Sequence, residues 1–313
     1  MPIIKATGKD KLLNCACRYA DFVAARFGRE EGKCKGYPGH EIAEMALAGL
    51  YEKTGEDKYL ELAKFFVDER GTRPYYFDVE DPTRVPQGKE KELRYEYNQA
   101  HKPVREQEEA VGHAVRAAYL YSGMTDVARI TKDETLYQAC ETLWENVTNK
   151  KMYITGAIGG TRMEKRFLSI MIFRMTWHTP KPAAAMGTMF WARRMLEIRP
   201  DRKYADAMER ALYNSVLSGM DLDGKAFFYV NPLEVLPEAC HKDSRKFHVK
   251  PVRQKWFGCA CCPPNLARLL SSIGRYAYGE NKNTLFVHLY IGGVIKKQVG
   301  EEEIQIILDS DMP

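Results

Sequence analysis

The sequence contains no apolar run approaching the ~18–20 residues that a membrane-spanning helix needs. Met1 to Asp10 lacks the apolar core of a signal peptide. The expectation is a cytoplasmic protein with no membrane partner, and with natural chain missing before Met1. Charge of one sign is also scarce, with a net +5 spread over 313 residues. A basic cluster of Lys242, Arg245, Lys246, Lys250, Arg253 and Lys255 comes with no aromatic stacking pattern and no nucleic-acid motif. It reads as a solvated loop, and no nucleic-acid partner is expected. Nor does the chain need disulfide staples, because 313 residues can bury a large core without them. The eight cysteines are Cys15, Cys17, Cys34, Cys140, Cys240, Cys259, Cys261 and Cys262. Two of them are adjacent, a poor geometry for a mutual bridge. Reduced thiols, some of them binding metal, are the better reading.

What is present is helical periodicity. Lys11–Phe27 sets Leu12, Leu13, Cys17, Ala20, Phe22 and Val23 on one broad face. Glu41–Lys53 and Lys58–Glu69 repeat the design, each stopped by a glycine, Gly55 and Gly71. Similar units are predicted at Glu108–Ser122, Glu134–Thr148, Gly187–Glu197, Tyr204–Ser218 and Pro264–Gly279. Connectors as short as Thr54–Asp57 make successive helices antiparallel neighbours. Asp78–Val104 is polar and proline-punctuated, and reads as an excursion rather than a helix. After Asn283 the period changes to alternation, in Leu285, Val287, Leu289 and Ile291, then Ile304, Ile306 and Leu308 beyond a Gly292-Gly293 turn. The fold expected is mainly α: an α/α toroid over 1–282, followed over 283–313 by the start of an antiparallel β-sandwich.

The strongest local chemical signal is Cys259-Ala260-Cys261-Cys262-Pro263-Pro264-Asn265. Three thiols precede a helix that Pro264 can open, and helix N-termini favour thiolates. The cluster reads either as packed structural thiols or, preferably, as a metal site or nucleophile. Two close thiols alone do not fill a zinc sphere. His40, after Gly36-Tyr37-Pro38-Gly39, and His113, after Ala110-Val111-Gly112, each sit near a helix start. Either is a satisfied structural histidine or a site residue. Glu106, Glu108 and Glu109 suit the helix dipole better than catalysis. Phe227–Pro232 reads as a strand whose aromatics, Tyr229 among them, form a sugar-stacking wall or fill core. Glu209 reads as a solvent-face charge.

These segments carry a resemblance. Gly36–His40, VREQEEAVGHAVRAAYLYSG from Val104, KMYITGAIGG from Lys151, FWARRML from Phe190, MERALYNSVLSG from Met208, Phe227–Glu234 and CACCPPNLARLLSSIGRY from Cys259 together resemble glycoside hydrolase family 127, the β-L-arabinofuranosidases. The resemblance implies cleavage of terminal β-L-arabinofuranosyl units with retention, by a cysteine thiolate bound to zinc. Zinc would hold the thiol deprotonated while a carboxylic acid protonates the leaving oxygen, a two-step scheme with sulfur in the usual carboxylate's place. By motif, Cys261 matches the nucleophile and Cys262 a zinc ligand, while His40, His113, Glu209 and Tyr229 match sugar contacts. It also implies a small arabinofuranoside substrate, more chain at both ends, and a homodimer formed through the region beyond Pro313.

The family's acid/base Glu, a zinc-binding Glu and a third ligand Cys belong between Gly160 and Met186, where this sequence has Lys165, Lys181 and Ala183. Met163–Ala183 reads MEKRFLSIMIFRMTWHTPKPA, whereas the family's pattern there resembles NGEAFSFDYDLPNDMAYTETC. Codons TTC GAT TAT GAT for Phe-Asp-Tyr-Asp, read one base later, give Ser169, Ile170, Met171 and Ile172. GAA ACC TGC for Glu-Thr-Cys gives Lys181, Pro182 and Ala183. The whole segment matches this way without a gap. A one-base shift near Arg162, compensated near Ala184, is therefore inferred. It leads to two expectations: that 163–183 is the poorest-packed part of the fold, and that zinc binding and hydrolysis are impaired. The competing readings are a catalytically dead carbohydrate-binding or vestigial protein, and a structural zinc or thiol module.

Overall fold

The computed structural model describes residues 7–159, 166–167, 182–243, 249–259, 261–282, 284–299 and 302–309. Helices dominate it: α1 (Lys11–Arg26), α2 (Ala43–Thr54), α3 (Asp57–Glu69), α4 (Tyr76–Glu80), α5 (Gly88–Tyr97), α6 (Ala114–Thr131), α7 (Glu134–Lys150), α8 (Pro182–Ile198), α9 (Arg202–Ala211), α10 (Pro237–Lys242), α11 (Cys262–Leu270) and α12 (Gly274–Ala277). Short connectors fold them into antiparallel pairs, as the toroid reading expects. Gly55, at φ 74°, ends α2 in the left-handed region and donates its N–H to the Tyr51 carbonyl. Only Lys132 and Asp133 separate α6 from α7, and the Asp133 carboxylate caps α7 by accepting from the Leu136 N–H at 3.0 Å.

α6 and α8 lie innermost and pack on each other. α6 is buried on nearly every side, so it shows no polar face. Its small residues let neighbours approach closely. A Cβ on Gly123 would stand 2.6 Å from the Glu44 Cβ of α2, and one on Gly187 of α8 would stand 2.8 Å from the Ala118 Cβ of α6. An aromatic knot then ties four helices together: Trp191 of α8 meets Trp144 of α7 and Tyr121 of α6, each at 4.8 Å, and Trp144 meets Tyr204 of α9 at 4.9 Å. The Trp191 indole N–H donates to the Thr125 hydroxyl at 3.1 Å, so burying it leaves no orphan donor.

Several sequence-based boundaries need correction. Asp78–Val104 is not a bare excursion, since it holds part of α4, a 3-10 turn at Pro82–Arg84 and all of α5. α5 is so polar that only Tyr95 is buried, so no apolar period marked it. α6 starts at Ala114 rather than Glu108, because His113 is its cap. α8 is helical from Pro182 at least, before the predicted Gly187, and three alanines follow the proline. α9 ends at Ala211 and runs into a π-turn, Leu212–Val216, and a 3-10 turn, Leu217–Gly219. The strand expected at Phe227–Pro232 is reduced to single bridges from Phe227 to Met220 and Gln254.

Pairing of strands begins at Tyr278, before the predicted Asn283. β1 (Tyr278–Glu280) runs antiparallel to β2 (Leu285–Val287), and β3 (Gly293–Val299) to β4 (Glu302–Leu308), with Val294 opposite Ile307. Of the 163–183 segment, only Arg166, Phe167, Pro182 and Ala183 fall within the described residues. Phe167, Pro182 and Ala183 are buried, the Phe167 N–H donates to the Gly112 carbonyl at 2.8 Å, and Arg166 donates to the Leu93 carbonyl at 2.7 Å. Poor packing therefore does not describe these four residues. The rest of that expectation lies outside the described residues.

Candidate functional site

The site grows from the start of α11. Cys261 is its N-cap, Cys262 its first residue, and Pro263 and Pro264 fill the first turn, where no N–H partner is lost. The helix thus opens two residues earlier than Pro264. The sulfurs cluster: Cys259 Sγ stands 3.5 Å from Cys261 Sγ, and Cys261 Sγ 3.8 Å from Cys262 Sγ. No cysteine of the chain is in a disulfide. One turn further on, Asn265 Nδ2 donates to the Cys261 carbonyl at 2.7 Å, and Arg268 donates to Asn265 Oδ1 at 2.6 Å. Arg268 in turn lies 4.3 Å above the Phe190 ring, a cation–π contact that joins α11 to α8.

From there a wall of rings continues. Phe190 stacks on Tyr119 of α6 with centroids 6.2 Å apart, and Tyr119 faces the His40 imidazole at 6.1 Å. Burial pushes the Tyr119 phenol up to about 12, against the pull of Arg268 and with a further push from the Cys261 and Cys262 sulfurs. Tyr229 packs on Phe257 at 5.7 Å. Its phenol is also driven upward, first by burial, then by its hydrogen bond to Cys259 and the charge of Cys261. Cysteines, Tyr229, Tyr119 and His40 therefore belong to one neighbourhood assembled from distant parts of the chain.

His40 is held from beneath by buried charge. Arg70 donates to the Pro38 carbonyl at 2.8 Å, to the Asn98 carbonyl at 2.9 Å, and to Glu41 and Glu44 at 3.1 and 3.2 Å. All three side chains are fully buried. Burial pushes Glu41 up to about 7, with Arg70 and then Arg116 opposing. Arg116 donates to the Gly39 carbonyl and, at 2.5 Å, to Asn98 Oδ1. His113 caps α6, its Nδ1 accepting from the Arg116 N–H at 3.3 Å, and meets the Tyr97 ring edge-on. It joins the site through Arg116.

Other expected residues fare differently. Glu209, on α9, is half-buried and makes no side-chain hydrogen bond or ion pair among the described residues. Lys165 and Lys181 lie outside the described residues. Ala183 is buried in the first turn of α8, and Pro182 beside it lines the same apolar cavity of about 350 Å³ as Cys262, Phe227, Phe228 and Leu266. The start of α8 therefore faces the start of α11, and Ala183 brings no donor atom there. Among the described residues no group of three or more His, Cys, Asp or Glu is arranged to hold a metal ion. The three thiols fall short of the four donors of a closed zinc site, so the described residues do not fit zinc on their own.

Sequence reasoning missed Tyr119, Phe190, Asn265, Arg268 and the Arg70–Glu41–Glu44 group. Asn265 had a signal, four residues after Cys261 and so on its helical face. Tyr119 and Phe190 had none, because a buried ring in an apolar helix reads as core.

The family model described as "Beta-L-arabinofuranosidase, GH127 catalytic domain" matches residues 3–275. The chain belongs to glycoside hydrolase family 127. It is 38% identical over 292 residues to a non-reducing end β-L-arabinofuranosidase of Bifidobacterium longum subsp. longum, covering 92% of this chain and 44% of that protein. Its fold is similar to the crystal structure of a GH127 β-L-arabinofuranosidase from Geobacillus stearothermophilus T6, with a TM-score of 0.93 and 51% identity over 99% of this chain and 49% of the other. A second solved GH127 β-arabinofuranosidase gives a TM-score of 0.85 at 40% identity, over 99% of this chain and 44% of that one. The chain spans about half the length of the relatives it matches. Among the described residues no helix is long and apolar enough to cross a membrane.

Proposed function

We propose that this GH127 chain derives from a retaining glycosidase that releases terminal β-L-arabinofuranosyl units, with Cys261 as nucleophile, and that its hydrolysis is impaired as written. The observation that carries this reading is the thiol cluster at the start of α11 beside the His40–Tyr119 wall and Tyr229. Aromatic rings next to hydroxyl and imidazole groups suit a sugar, whose C–H faces stack while its hydroxyls bond. In that site His40 and Tyr229 bind the sugar, His113 fixes the Arg116 backbone beside it, and Glu209 is assigned a sugar contact by family motif alone. Cys261 attacks the anomeric carbon and is later displaced by water. Cys261 and Cys262 are the donors the described residues would offer a zinc ion, whose chemistry, given a complete set of four ligands, would be to keep the sulfur deprotonated.

Impairment follows from what stands in the remaining places. Ala183 has no donor where the family pattern has a cysteine. Lys165 cannot replace a neutral carboxylic acid, because an ammonium with an ordinary pKa of about 10.4 is a poor proton donor at neutral pH. The missing acid alone is expected to cost on the order of 10²–10⁴-fold in turnover. The experiment compares two purified forms that differ only in 163–183, one as written and one restored to the family's reading frame. Zinc content and hydrolysis of a synthetic β-L-arabinofuranoside should rise together in the second. Full activity as written would place the acid and the metal ligands elsewhere. A second reading, favoured by the intact ring wall beside a depleted ligand set, is a sugar-binding protein without turnover. Arabinofuranoside binding by the as-written form, with no product released, would support it.

A further inference from the structure

Cys259 has no part in the mechanism above, yet its sulfur touches that of Cys261. At 3.5 Å the two atoms are in van der Waals contact, and closing by about 1.5 Å reaches the disulfide bond length of about 2.05 Å. Both residues are half-exposed, so a small oxidant can reach them. Around Cys259 there is room: Gly258 before it has no atom within 4 Å of where a Cβ would stand, and in sequence one residue, Ala260, separates the two cysteines. Cys262 is placed differently. It is buried, its backbone is committed to the first turn of α11, and prolines follow it. A bridge between the adjacent Cys261 and Cys262 would have to distort the peptide joining them and break into that turn. Distance and the commitment of Cys262 to the helix turn therefore both favour Cys259 as the partner.

We propose that Cys259 and Cys261 are a reversible oxidation site in which Cys259 resolves the oxidised Cys261 as an intramolecular disulfide. The oxidant is a hydroperoxide. With hydrogen peroxide, the Cys261 sulfur takes one oxygen as the O–O bond breaks, giving a sulfenic acid and one water. The Cys259 sulfur then attacks Cys261 Sγ, the S–O bond breaks, and the second water leaves. Two thiols lose two electrons in total and one peroxide gains them. A dithiol reductant reverses the step by thiol exchange. Its consequence for hydrolysis rests on Cys261 being the nucleophile, whereas the pairing itself does not.

The test treats the reduced, as-written chain with stoichiometric hydrogen peroxide, alkylates remaining thiols and maps the peptides by mass. The expected result is a Cys259–Cys261 cross-link lighter than the dithiol by two hydrogens, an alkylated Cys262, and full recovery with dithiothreitol. In C259S the cross-link disappears, and with a second equivalent of hydrogen peroxide Cys261 runs on to the sulfinic acid, with two oxygens added. In C262S the cross-link persists, which guards against a C259S variant that simply misfolds. A Cys261–Cys262 bridge, unchanged alkylation of all three thiols, or the same Cys261 products with and without Cys259 would overturn the proposal. Repeating the treatment on the frame-restored form separates the two ideas. A cross-link that forms while hydrolysis continues unaltered counts against Cys261 as nucleophile, and leaves the pairing intact.

Discussion

Arg70 has the carboxylates of both Glu41 and Glu44 within hydrogen-bond reach, and none of the three side chains meets solvent. R70M would leave two buried carboxylates facing each other without a cation. The expected loss is about 3–5 kcal/mol, read as a lower urea midpoint. Glu41 adds a pH dependence. Its native pKa lies above the ordinary 4.5, at about 7, so between those values the folded chain keeps a proton that the unfolded chain has released. Its contribution is therefore fully present below about pH 4.5 and is lost as pH rises towards 7, on the order of 1–3 kcal/mol. In E41Q, urea midpoints measured across that window should lose this slope. An identical slope in the variant would assign it to another group.

Among the elements, α6 is the one whose sequence looks least like its role. Gly123 in mid-helix costs about 1 kcal/mol of helix propensity, and it is there because α2 passes too close for a methyl. G123A would gain that propensity and lose more, since its new Cβ meets the Glu44 Cβ and the Met45 backbone N, neither of which is a flexible tip. A net loss of about 1–2 kcal/mol in unfolding free energy is expected. The alternating segments offer a contrast. Leu289 is fully buried, and L289A should cost about 2–5 kcal/mol. Ile307 is 67% exposed, and I307T should stay within about 0.5 kcal/mol. The alternating pattern gave Leu289 and Ile304 equal weight, yet Ile304 is 43% exposed, because alternation reports which residues share a face, and only packing says whether that face is covered. For the same reason α5 escaped detection: a helix that buries Tyr95 alone leaves no apolar period to read.

At the scale of the whole molecule, the site draws on Gly36–His40, α6, α8, Tyr229 and α11, which are far apart in sequence. In the frame-restored form, H40A should weaken β-L-arabinofuranoside binding about 10-fold, the value of one lost hydrogen bond to the sugar, while zinc content holds. A zinc loss of the same size would make His40 part of the metal environment instead. The helical class, most helix pairs, a change to strands (read after Asn283, found from Tyr278) and the thiol cluster were all determined by local order. Each depends on residues within a few turns of one another, through apolar period, capping or direct adjacency. Tertiary structure alone decided that the core rings Tyr119 and Phe190 connect Arg268 to His40, that Arg70 sits under the His40 turn, that Pro182 shares a cavity with Cys262, and that Cys259 Sγ stands nearer to Cys261 Sγ than Cys262 Sγ does. Those outcomes depend on which surfaces meet. A linear sequence carries such distances only through the fold.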